Sequence, residues 1–117
     1  MAVTYAQVRD WVLALPGGRE VFVERWGHPT LRYGDKLLAT GGPQHPTLSV
    51  KASRVDQAEL IGAAPLTYAV APYVGRYGWV QVTLATVEPA ELRQIVVDAW
   101  RQTAPKKVVR EYDAAQR

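Results

Sequence analysis

The chain has 117 residues, 48% of them hydrophobic and 21% charged, which suits one soluble globular domain over residues 1–117 and excludes a disordered or membrane-spanning chain. It contains no cysteine, which removes disulfide frameworks, thiolate metal sites and cysteine nucleophiles and leaves the cytoplasm as the expected compartment. The formal charge of +3 is spread evenly, with five basic residues against four acidic in residues 1–40, three against two in 41–80 and six against five in 81–117, so a polyanion partner is permitted but no basic tail exists.

The opening MAVTYAQVRDW has neither the cationic start nor the apolar block of a secretory signal. From Thr4 to Leu15 it predicts a helix instead. Thr4 and Gln7 have capping-box spacing, Tyr5, Val8, Val12 and Leu15 form one apolar stripe, and Pro16-Gly17-Gly18 stops it.

The period then changes to two. Val21 to Trp26, Thr30 to Tyr33, Lys36 to Thr40 and Thr47 to Lys51 read as four strands. Gly34-Asp35 is a tight hairpin signal, because such turns need positive φ, and residues 41–46 (GGPQHP) form a longer connection. Ser53 and Asp56 suggest the cap of a modest helix to Ile61, and residues 63–78 read as a loop holding Pro65, Pro72, Gly75 and three tyrosines. Trp79 to Leu84 alternates as a strand. Pro89, at a favoured first-turn position, opens the strongest helix, to Thr103, with Leu92, Ile95, Val96, Ala99 and Trp100 on one face. Pro105 begins a final turn or two of helix. The fold class is therefore α+β in the order α-β-β-β-β-α-β-α, a single antiparallel sheet of about five strands with helices packed on one face.

Strand parity predicts the uncovered face. Leu31, Tyr33, Leu48, Val50, Val80 and Val82 point inward, leaving Thr30 and Arg32, then Thr47, Ser49 and Lys51, then Trp79, Gln81 and Thr83 outward. Two partners suit such a face. The cations Arg25, Arg32, Lys36, Lys51, Arg54 and Arg76, if they converge, would contact the phosphates of duplex DNA. Alternatively, Trp26, Tyr73, Tyr77 and Trp79 would line an aromatic pocket for a small flat ligand. A third outcome is plain packing of the 68–77 tyrosines over both tryptophans.

No catalytic constellation is visible, so no enzyme and no cofactor are expected. No G-x-S-x-G elbow occurs. His28 and His45, both beside proline, lack metal-ligand spacing and read as surface-loop histidines. Gly34-Asp35-Lys36 lacks the spaced glycines of a phosphate loop and reads as a turn. Glu88 and Glu91 suit the first turn of the last long helix.

LPGGRE after the first helix, Trp26-Gly27-His28-Pro29, Gly34-Asp35-Lys36, Leu48-Ser49-Val50-Lys51, and Pro72-Tyr73-Val74-Gly75-Arg76 followed by Trp79-Val80, with the Glu91-Leu92 helix start, occur in one order along the chain. This ordered set resembles the MmcQ/YjbR proteins. The resemblance implies a CyaY-like fold and DNA binding of a double-wing type, two β-hairpins flanking a concave sheet. By matching position it assigns Trp26, Lys36, Ser49, Lys51, Arg76 and Trp79 to the sheet face or its border. Frataxin-like iron handling is not implied, because it needs an acidic ridge and this chain is basic.

Overall fold

The helix that opens the computed structural model, which describes residues 2–116, is α1, Tyr5–Leu13. It begins where the capping box forms: Gln7 N–H donates to Thr4 Oγ1 and Thr4 N–H to Gln7 Oε1. That exchange satisfies amides that the first helical turn otherwise leaves orphaned. Tyr5, Val8 and Val12 are buried.

Six strands make one antiparallel sheet: β1 Gly18–Val23, β2 His28–Tyr33, β3 Lys36–Thr40, β4 Thr47–Val50, β5 Tyr68–Val70 and β6 Val80–Thr83, in the spatial order β1-β2-β3-β4-β6-β5. The turns behave as their residues require, with Gly34 at φ 56 between β2 and β3 and Gly27 at φ 71 between β1 and β2. The sixth strand, β5, lies inside the segment that reads as a loop. Three residues cannot display alternation, and the flanking prolines mask what is there.

The helices are α2 Arg54–Ala63, α3 Pro89–Thr103 and α4 Lys106–Ala115, with a single 3₁₀ turn at Gly75–Tyr77. The terminal helix is longer than the turn or two expected, because Val108, Val109 and Tyr112 give it an apolar side that packs on the core. Its Tyr112 meets Trp100 edge-on at 4.9 Å between ring centroids.

Tyr5, Val8 and Val12 from α1, Leu92, Val96 and Trp100 from α3, and the inward side chains of the strands make one core. Trp100 is fully buried and its indole N–H donates to the Pro16 carbonyl at 2.8 Å, fastening α3 to the end of α1. Glu20 accepts from Tyr5 Oη at 2.7 Å and from Arg9 Nε at 2.9 Å, tying α1 to β1. The other sheet face carries no helix, and β1–β4 and β6 present it.

A bulge in β3 shifts the inside–outside alternation of the strand beyond it. Thr40 pairs with Thr30 and Ala39 with Leu31, but Leu37 pairs with Arg32, so Leu38 is an extra residue. Leu38 and Ala39 are both fully buried on the helix side.

Candidate functional site

The open face is a cleft rather than a plane. Its floor comes from outward side chains of β3 and β4, chiefly Leu37, Thr40 and Ser49. One wall is Trp26 with His28, carried by the β1–β2 hairpin, and the other is Pro72, Tyr73 and Val74 with Trp79. The volume is ≈ 460 Å³, within the usual range of about 300–1,000 Å³ for small-molecule sites. A smaller extension runs from His28, Thr40, Ser49 and Pro72 to Gly41, His45, Thr47 and Gln81.

Three of the four aromatic residues read as pocket-forming line this cleft. Trp26 is 47% exposed, Tyr73 is 96% exposed and Trp79 is 9% exposed. Tyr77 is not among the lining residues. It lies in the 3₁₀ turn with the Arg76 guanidinium 4.9 Å from its ring centroid. The tyrosines do not build a second core over the tryptophans either. Tyr68 enters the main core, with its hydroxyl donating to Glu91 of α3, while Tyr73 and Tyr77 face out.

The loop over the cleft is held from behind. Gln57 of α2 spends both amide hydrogens on it, donating to the Gly75 carbonyl at 2.9 Å and to the Trp79 carbonyl at 2.6 Å. Gly78, at φ 99, closes the turn where an added Cβ would meet the Ala52 carbonyl oxygen at 2.7 Å. Tyr73 stands at φ 64, an uncommon conformation for a residue with a side chain, next to the cleft.

The cations do not gather into one plane. Arg32 has the outward parity, but its guanidinium is spent on Thr30 Oγ1 at 2.8 Å and the Asp35 carbonyl at 2.8 Å. Lys36 is exposed at the β2–β3 turn. Arg25 is exposed in the 24–27 turn and does not line the cleft. Arg54 donates to the Arg76 carbonyl at 3.0 Å, so this pair flanks the 71–79 loop on the α2 side.

Lys51 corrects the parity reading outright. It lies not on the open face but on the helix side, donating through Nζ to Thr103 Oγ1 of α3 at 2.9 Å. Its backbone N–H bonds the carbonyl of Leu38, the bulge residue, and it shares that residue's face. Burial, with the charge of Lys36 adding to it, pulls the Lys51 ammonium below the usual lysine range. It lines a groove of ≈ 350 Å³ between α2 and α3 with Asp56, Glu59, Glu91, Asp98 and an apolar base at Leu60 and Ile95.

Sequence reasoning missed several cleft residues. His28 is half-buried at the start of β2 rather than in a loop. His28 and His45 meet edge-on, 5.8 Å between centroids, and Trp26 lies 6.0 Å from His28. Thr40, Pro72 and Gln57 were equally silent, since hydroxyls, prolines and amides carry no pattern until the strands are paired. No cluster of three or more His, Asp or Glu placed to hold a metal occurs among the described residues. No helix among them is long and apolar enough to cross a membrane.

Comparison with known proteins places these features in a family. A family model described as YjbR matches residues 13–102. Uncharacterized proteins of Mycobacterium bovis and Mycobacterium tuberculosis are 28% identical over 107 residues, covering 88% of this chain and 78% of theirs. The crystal structure of a Deinococcus radiodurans protein with a DUF419 domain superposes with a TM-score of 0.73 at 22% identity, covering 83% of this chain and 75% of that one. At that identity the likeness speaks for the fold.

Proposed function

The chain belongs to the YjbR family, and from that premise we propose that it is a binding module whose open sheet face takes a small planar aromatic molecule. The observation that carries this reading is the ≈ 460 Å³ cleft in which Trp26, Tyr73 and Trp79 surround a floor of Leu37, Thr40 and Ser49. Large aromatic faces supply most of the binding energy in such sites, and a few hydroxyls orient the ligand. The duplex-DNA reading has weaker support. It needs a continuous row of cations at phosphate spacing, whereas Lys51 faces α3 and Arg54 and Arg76 stand on the far flank of the loop.

Tryptophan fluorescence across a set of planar aromatic compounds tests the proposal. Saturable quenching that Trp26→Ala removes and Lys36→Ala leaves intact is the expected result. A mobility shift of duplex DNA at low salt, abolished by Arg32→Ala with Arg76→Ala while no compound quenches, would transfer the function to DNA.

A further inference from the structure

We infer that the ligand of this cleft carries an anionic group, and that His28 and His45 are the side chains that read it; this rests on the binding proposal above. The cleft is divided by chemistry. Its larger part is aromatic and aliphatic, and its extension past Thr40 and Ser49 is polar, with His28, His45, Thr47 and Gln81 around it. A planar molecule with one polar end fits that division.

The polar end is rich in donors and lacks fixed charge. Among the described residues, no carboxylate, lysine or arginine lines either part. The Pro29 carbonyl can only accept, so the His28 Nδ1 lying 2.9 Å from it carries the proton. That leaves Nε2 as an acceptor in the neutral ring, able to donate to an anion only once the ring is protonated. Hydroxyls at Thr40, Thr47 and Ser49 and the Gln81 amide add further donors. The charged groups nearest along each bordering element are Glu24 and Arg25 in the Trp26 turn, Arg32 on β2, Lys36 beside Leu37 on β3, Lys51 just past β4 but turned to α3, and Arg76 in the 3₁₀ turn of the 71–79 loop. Arg32, opposite Leu37, borders the floor and favours an anion at every pH, though its guanidinium is already engaged.

Histidine is the side chain whose charge changes across the physiological range. Two of them in edge contact repel when both are protonated, and an anion bound beside both relieves the repulsion. Binding of an anion and uptake of protons are then linked, each favouring the other. The site accepts an aromatic acid most tightly on the acid side of neutrality.

Two fluorescent probes of one shape separate the terms. Anilinonaphthalene sulfonate bears a permanent negative charge, and phenylnaphthylamine is its neutral counterpart. Titrated into the full chain between about pH 8 and about pH 5.5, the sulfonate is expected to tighten about fivefold or more while the neutral probe stays level. Near-UV circular dichroism over the same range verifies that the fold is unchanged. His45→Gln, at an exposed position, should reduce the slope, and His28→Gln with His45→Gln should flatten it. An equal slope in the double variant, or a neutral probe that follows the charged one, overturns the inference and leaves the cleft proposal standing. If neither probe binds, or Trp26→Ala changes nothing for both, the cleft proposal fails and takes this inference with it.

Discussion

Lys51, the residue after β4, donates its ammonium proton to Thr103 Oγ1 in the last turn of α3, across 2.9 Å, and Thr103 in turn donates to the Ala99 carbonyl at 2.9 Å. A cation expected on the open face instead spans the sheet–helix boundary, and its effect is on stability. The folded state holds Lys51 below its ordinary value of 10.5, first through burial and then through Lys36. The unfolded chain therefore keeps this proton more readily. The penalty is complete at neutral pH and is relieved as pH rises through the folded value towards the unfolded one. Lys51→Met is expected to shift stability at pH 7 by under about 1 kcal/mol and to remove that rise, read by urea unfolding at stepped pH.

Tyr5 and Tyr68 act in the opposite sense. Burial raises both phenols above the ordinary value of 10.0, and hydrogen bonds to Glu20 and Glu91 raise them further. Their contribution is present below the unfolded value and is lost as pH climbs above about 10 towards the folded one. Tyr68→Phe is expected to cost about 1 kcal/mol at pH 7 and to weaken the alkaline loss of stability, with thermal melts above and below pH 10 as the measurement. An unaltered alkaline limb in Tyr5→Phe with Tyr68→Phe would refute the assignment.

Gly78→Ala should be costly. It forces a side chain into φ 99 and brings Cβ to 2.7 Å from backbone atoms of Ala52 and Arg54. A loss of about 2 kcal/mol or more is expected, together with weaker binding in the cleft whose wall the loop forms. Gly62→Ala is the contrast. It sits in α2 with open space around its Cβ direction, so a gain of about 0.5–1 kcal/mol is expected. Urea unfolding of the two variants beside the parent chain measures both.

Gln57→Leu keeps the helix and removes the clamp. Both carbonyls it serves retain one backbone partner, Gly78 N–H on Gly75 and Ala71 N–H on Trp79. The expected cost is therefore about 1–2 kcal/mol, with faster amide exchange in residues 71–79 and reduced quenching by planar compounds. Exchange in that loop equal to that of the parent chain would show that the clamp is idle.

Much of the architecture was legible along the chain. Thr4 and Gln7 announced α1, Gly34-Asp35 announced the β2–β3 turn, and the Leu92-to-Trp100 stripe announced α3. Each is a local signal, set by backbone sterics, capping or a helical repeat. The edge strand β5 was not legible, because it is defined by pairing Tyr68 with Val82 and Val70 with Val80 rather than by its own residues.

The site divides in the same way. Residue types alone marked Trp26, Tyr73 and Trp79 as aromatic candidates, and the even spread of charge already argued against a basic arm. Which cations share a face was a different matter. Alternation reports direction only within a regular strand; β4 ends at Val50, and Lys51, the residue after it, lies against the bulged Leu38 of β3 and turns to α3. Local preference determined the elements and the turns; only long-range pairing brought His28 to His45 and fastened the 71–79 loop through Gln57, because such contacts depend on where separate segments come to rest.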